Sequence, residues 1–234
     1  MHAADLNVLL ACQDWLERDR KTALLTVVRT WGSSPRPPGA MMAIREDGVV
    51  AGSVSGGSIE DDLIDQVRRN GVDALCPGGV PAVVTYGVRA EDARRFGLPC
   101  GGTLQLVIEP LAARSRIPEL VRRLRQRAPV CREIDMRSGE ATLGAAPADT
   151  GPRLQEDRFA CVLGPRHRLI VIGAGQLSRY LCEIALGLDF DVTVCDPREE
   201  YRAEWSVPGV HVTHDMPDDV CRPRSPMRAP PSWR

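Results

Sequence analysis

Residues 167–201 read HRLIVIGAGQLSRYLCEIALGLDFDVTVCDPREEY, and no other stretch restricts the fold as tightly. An apolar run, 169–172, stops at Gly173-Ala174-Gly175; a helical stretch follows, and a second apolar run ends at Asp196. Strand, glycine turn, helix, strand is a βαβ unit, and its crossover demands a parallel sheet. Bare glycines let backbone N–H groups approach a pyrophosphate, the helix N-terminus faces the negative charge, and an acid about 20 residues on receives ribose hydroxyls. The pattern singles out Gly173, Gly175 and Asp196 and points to NAD(P) or another nucleotide. Ser178 stands where the third glycine would be, which sets helix and strand slightly further apart. The same turn also serves packing alone, and the sequence leaves both readings open.

Upstream, the pattern changes. Residues 4–18 carry leucines at helical spacing, and TALLTVVRTW (22–31) reads as a buried strand. GSSPRPPG (32–39) is a loop, because its prolines and glycines suit neither helix nor ladder. Residues 40–44 and 48–52 form a hairpin turning at Asp47-Gly48. After SVSGG, Ser58 is the expected N-cap of a helix with acids in its first turn, Arg68 and Arg69 in its last, and Gly71 as its stop. Strands are expected at 81–87, 102–111, 129–136 and 159–163, with an amphipathic helix at 117–127. Residues 145–158 are polar, and read as a hairpin loop or the start of a linker. A short strand is expected within 209–215. The fold class is α/β: a mixed N-terminal domain over 1–150, a partial Rossmann-like domain over 165–215, and a disordered, proline- and arginine-rich tail over 216–234 that a truncation or frameshift would produce. Its sheet strands would want apolar cover on both faces, so the expected protein is a homo-oligomer joined through this half.

Composition removes several function classes. Formal net charge is −1, which argues against a general nucleic-acid or membrane-surface binder. No apolar run reaches transmembrane length, and the N-terminus lacks a basic leader, so the expected location is the cytoplasm. The chain has eight cysteines with no Cys-x-x-Cys pair, so thiols are expected rather than disulfides or zinc sites. Cys12, Cys182 and Cys195 lie in apolar patterns and read as core. Cys100 does not: FGLPCGG holds it between a proline and two glycines, as a loop would present a thiol.

RTWGSSPRPPGAMMAI, DGVVAGSVSGGSIEDDL, FGLPCGGTLQLVIEPL and the glycine-turn segment, in this order, resemble the XdhC/CoxI family of xanthine dehydrogenase accessory proteins, from about residue 5 to about 215. The resemblance implies a non-catalytic chaperone of the molybdenum cofactor (molybdopterin). Such a protein holds the cofactor during sulfuration and inserts it into apo xanthine dehydrogenase or a related molybdenum hydroxylase, with a cysteine desulfurase as a further partner. On that reading Cys100 contacts molybdenum or takes part in sulfur transfer, beside Gly101 and Gly102. Ser55, Gly56, Gly57 and Ser58 offer backbone N–H groups to an anion, and Arg36 pairs with phosphate. Each has a plainer reading. SGGS is a turn into a capped helix whose Glu60, Asp61 and Asp62 already offset the dipole; Cys100 is a small turn residue; Arg36 is solvated. Many relatives carry a second cysteine where this chain has Ser58, which puts a two-thiolate site in doubt. The alternative function is an NAD(P)-dependent oxidoreductase.

Overall fold

The central strand of the first unit is β1 (Thr22–Trp31), buried on both faces along its first seven residues. A computed structural model describes residues 3–32, 36–87, 102–126, 129–146, 151–164, 167–188, 190–198 and 205–221. The chain divides into two units, Met1–Arg166 and His167–Arg234.

In the first unit β1 pairs antiparallel with β2 (Met41–Arg45) on one side and β5 (Thr103–Pro110) on the other. β3 (Val50–Gly52) and β4 (Ala82–Tyr86) complete the sheet in the order β3-β2-β1-β5-β4. Period-2 alternation splits TALLTVV between two cores. Ala23, Leu25 and Val27 join Ile59, Leu63 and Val67 of helix α2 (Ser58–Asn70). Leu24 and Val28 face the other way, onto Leu9 and Cys12 of α1 (Ala3–Glu17) and Leu120 and Leu124 of α3 (Ile117–Arg125). That second core also takes Ile134 and Phe159 from a further antiparallel sheet: β6 (Val130–Asp135), β7 (Ala141–Ala145), β8 (Arg153–Gln155) and β9 (Arg158–Leu163), ordered β7-β6-β9-β8. Being covered on both faces is what gives β1 its unbroken apolar run.

The two sheets are pinned by one buried ion pair. Arg132 on β6 makes a two-pronged contact with Glu109 on β5, at 2.7 and 2.9 Å, and also donates to the Ser115 carbonyl at 2.9 Å. Gly52 sits where β3 leaves the sheet with φ +82°, and a Cβ there would lie 2.4 Å from the Met41 carbonyl oxygen. Gly52→Ala should therefore lower the unfolding free energy by about 2–4 kcal/mol, from strain plus collision with backbone. Urea denaturation measures it, and a change within about 0.5 kcal/mol, typical of neutral surface sites, would refute the clash.

Two local expectations change, and one open alternative is decided. α2 begins at Ser58, so its N-cap is Gly57 and not Ser58. The stretch 145–158 is a hairpin where it is described: β8 pairs with β9 around Glu156, whose φ is +48°. The region read as an irregular tail opens with a short helix, α5 (Pro217–Cys221). Proline at its start has no N–H to orphan, and Asp218 and Asp219 complement its N-terminus. Residues 222–234 lie outside the described residues.

In the second unit β10 (His167–Ile172), β11 (Phe190–Cys195) and β12 (His211–Thr213) form a parallel sheet in the order β10-β11-β12. Helix α4 (Gln176–Gly187) joins the first two. One sheet face is apolar: Val171, Val192 and Val194 pack with Cys182 and Ala185. The opposite face departs from the expectation of apolar cover. Arg168, Asp191, Thr193, His211 and Thr213 line an open polar trough of about 450 Å³.

Candidate functional site

The strand registers gather the motif loops of the first unit. β1 ends at Trp31 opposite Thr103, the first residue of β5. β4 ends at Tyr86 opposite Leu104. On the other side of β1, Met42 near the start of β2 lies opposite Gly52, the last residue of β3. The loop carrying Arg36, the loop Ser53–Gly57 and the segment that leaves at Gly87 and returns at Gly102 thus all open from one end of a single sheet. Gly102 is buried there, and the Thr103 hydroxyl donates to the Gly87 carbonyl at 3.4 Å. Cys100 and Gly101 lie outside the described residues.

The loop Ser53–Gly57 is built around Glu60. One carboxylate oxygen, Oε1, accepts from the Ser53 hydroxyl (2.6 Å) and the backbone N–H groups of Val54 (2.9 Å), Ser55 (2.8 Å) and Gly56 (2.9 Å). The other, Oε2, accepts from the Ser55 hydroxyl and from Gly57 N–H at 3.0 Å. The N–H groups of Ser55, Gly56 and Gly57, expected to face a ligand's anion, therefore already hold the protein's own carboxylate. Burial raises the Glu60 pKa, but the Ser53 and Ser55 hydroxyls and the Ser55 and Gly56 N–H groups outweigh it and hold the group at about 2. In a trans peptide the carbonyl points opposite to the following N–H. The carbonyls of Ser53, Val54, Ser55 and Gly56 are accordingly turned away from Glu60, and Arg36 Nε donates to that of Ser53 at 3.2 Å. Arg36 thus ties two motif loops together. Gly56 has φ +81°, and a Cβ on it or on Gly57 would meet nothing within 4 Å, so a ligand can approach the bare chain. The legible signal for Glu60 was its spacing, a glutamate three residues beyond the cap.

In the second unit the glycine turn has its expected place. Gly173 takes φ +102° and its N–H donates to the Cys195 carbonyl at 2.8 Å. Nothing stands within 4 Å of a Cβ built on Gly173 or Gly175. Ser178 donates to the Gly173 carbonyl at 2.6 Å, tying the first turn of α4 to the glycine turn. Asp196 is buried, and its carboxylate accepts from Ala174 N–H (2.7 Å) and from Arg198 through its backbone N–H (3.1 Å), Nε (3.0 Å) and Nη2 (2.8 Å). The Arg198 guanidinium foremost, against the effect of burial and with help from Ala174 N–H, holds this carboxyl well below the usual carboxylate range. His214 Nδ1 lies 3.0 Å from the Asp196 carbonyl oxygen, which only accepts, so that nitrogen carries the proton. Trp205 donates from its indole to the Gly175 carbonyl at 2.8 Å. Asp196 clamps the turn to the strand end, and a ribose seated here would have to compete with Arg198.

The XdhC and CoxI family model matches residues 15–87, and the XdhC Rossmann domain model matches residues 169–222. The chain belongs to the XdhC and CoxI family. Its relatives include the molybdenum cofactor insertion chaperone PaoD of Escherichia coli (strain K12), 28% identical over 81% of this chain and 57% of that protein. Another, from Bacillus subtilis (strain 168), is described as a probable subunit of xanthine dehydrogenase and is 25% identical over 80% of this chain and 62% of that protein. The chain thus spans about three fifths of the length of these relatives. A crystal structure described as a xanthine dehydrogenase from Bacillus halodurans shares the fold, with a TM-score of 0.61, 22% identity, and coverage of 92% of this chain and 70% of that one. The mixed α/β unit followed by a Rossmann-like unit is thus the arrangement expected from the XdhC-like motifs.

Thiols and metal ligands complete the inventory. Among the described residues Cys12, Cys76, Cys131, Cys161, Cys182, Cys195 and Cys221 form no disulfide. Cys12, Cys182 and Cys195 are core residues, as their apolar settings suggest. Burial pushes the Cys76 thiol up to about 12 and also raises Cys12, Cys131, Cys182 and Cys195, which keeps these thiols protonated. Among the described residues no group of three or more His, Cys, Asp or Glu is placed to hold a metal ion, and no helix is long and apolar enough to cross a membrane.

Proposed function

We propose that this XdhC-family chain carries the molybdenum cofactor as cargo in the cytoplasm. It shields the cofactor while a cysteine desulfurase installs the terminal sulfur, and delivers it to xanthine dehydrogenase or a related molybdenum hydroxylase. The observation that carries this reading is the convergence of three motif loops at one end of the five-stranded sheet. Their donor chemistry suits part of the cargo. Bare chain at Gly56 and Gly57 admits a flat ring system, and Cys100 and Gly101 directly precede Gly102 in the sequence. The N–H groups of residues 54–57 are held by Glu60, so the cargo's phosphate takes its donors elsewhere, with Arg36 proposed as one of them. Cys100 is the thiol proposed to meet molybdenum or the incoming sulfur, and the raised pKa values of the buried thiols support that choice. The relative named as an insertion chaperone supports the same reading.

Anaerobic purification followed by molybdenum and pterin assay tests it. The wild-type chain should retain both in near-equimolar amounts, and Cys100→Ala should lose most of the molybdenum while unfolding at an unchanged urea midpoint. A wild-type chain without pterin overturns the carrier reading. A Cys100→Ala variant with full molybdenum overturns the thiol assignment alone.

A further inference from the structure

By alternation, Leu24, Thr26 and Val28 share the face of β1 that turns toward the second sheet, and Thr26 puts a hydroxyl into that apolar row. Leu24 lies opposite Glu109 in the β1–β5 register, so Thr26, two residues on, is a diagonal neighbour of the buried ion pair. Between the two sheets is an internal cavity of about 10 Å³, walled mostly by leucines together with Met41 and Phe159. Thr26 and Arg132 are also in its wall, and every residue that lines it is buried.

Both polar side chains have a donor to spare. Arg132 carries five N–H groups. Nε and one Nη2 hydrogen go to the Ser115 carbonyl, at 3.3 and 2.9 Å, and a second Nη2 hydrogen and one on Nη1 go to the Glu109 carboxylate, at 2.9 and 2.7 Å. The fifth, on Nη1, has no acceptor among the described residues, and neither has the Thr26 hydroxyl. Arg132 is 4% exposed and Thr26 5%, so bulk water does not serve them. A buried donor without an acceptor carries its full desolvation cost.

We propose that this cavity is the binding site of a single trapped water molecule that joins Thr26 to the ion pair. The cavity matches the roughly 10–15 Å³ that one water needs. The water oxygen accepts from Arg132 Nη1 and from the Thr26 hydroxyl, and the spare lone pairs of Glu109 receive one of its protons. Three hydrogen bonds are the usual complement of a buried water. A threonine in the middle of TALLTVV then has a physical reason: it is the protein's hold on this water from β1.

Water-to-methyl NOEs on the full chain, with its threonine methyl groups labelled, test this together with urea denaturation. The wild type should show a long-lived water beside the Thr26 methyl group. Thr26→Val keeps the shape and removes the hydroxyl, and should lower the urea midpoint although it makes the core more apolar. With Glu109→Leu and Arg132→Met already in place, the water has lost its other partners, and Thr26→Val should leave the midpoint unchanged or raise it. No long-lived water at Thr26, or a Thr26→Val midpoint equal to or above that of the wild type, overturns the proposal. An equal fall in both backgrounds overturns the link between Thr26 and the ion pair. If the triple variant does not fold, the NOE on the wild type and the midpoint of Thr26→Val alone still decide.

Discussion

Replacing Glu109 by Leu while keeping Arg132 should cost about 3–5 kcal/mol of unfolding free energy, the largest loss expected of any single substitution in the first unit. Both side chains are about 95% buried. The substitution leaves a guanidinium in the interior with only the Ser115 carbonyl as a named partner. Arg132→Met should cost a similar amount, since it strands a carboxylate beside Cys12, whose own thiol is already disfavoured as an anion by burial and by Glu109. The double variant Glu109→Leu, Arg132→Met should recover most of the loss, because a well-packed apolar pair of similar size removes both desolvation penalties. Urea denaturation of the four proteins closes the cycle. Single variants that lose under about 1 kcal/mol would mean that water reaches the pair and that it does not pin the two sheets.

The second large effect concerns acid. Glu60→Gln keeps an acceptor for Val54, Ser55 and Gly56 but turns an NH₂ group toward Gly57 N–H, which then has no acceptor. Near neutral pH the expected loss is about 1–3 kcal/mol, screened because the glycine side of the loop is open. The sign with pH follows from the direction of the shift. The folded-state pKa of about 2 lies below the ordinary 4.5, so the carboxylate's contribution is complete above about pH 4.5 and is lost as pH falls toward 2. The gap between wild type and Glu60→Gln should therefore narrow when unfolding is measured near pH 3. An equal gap at both pH values would show that the negative charge on Glu60 is not what holds the loop.

Most backbone elements were legible because local rules and burial agree. β1 matches its apolar run residue for residue, and Gly71 stops α2 with φ +80°. The Rossmann-like strand–turn–helix was legible for the same reason: glycine turn, helix length and second strand all point one way. The weaker β7 and β8 were not, since ATLGA and RLQ are short and carry little apolar periodicity, and only pairing with β6 and β9 makes them strands. At the candidate site the loops could be read but not the partners of their polar groups. Ser55, Gly56 and Gly57 advertise free N–H groups in one dimension, while the side chain that fills them arrives from one helical turn on. Asp196 shows the same limit: its place after β11 was evident, but Arg198 and Ala174 as its partners depend on how the chain folds back. The polar second face of the Rossmann sheet was missed, because the apolar runs 169–172 and 192–194 outweighed Arg168, Asp191 and Thr193, which alternate with Leu169, Val192 and Val194.

Glu60 also bears on how a carrier lets go. A loop whose shape depends on its cargo loses order when the cargo leaves, and must be re-formed at an entropic cost on each loading. The Ser53–Gly57 loop has an internal counter-ion in place of a cargo anion, so its backbone is set in the empty protein. On the proposed reading, loading and unloading then proceed against a fixed surface. Retention is governed by what the cargo itself contacts, and the emptied protein is at once ready to receive the next molecule.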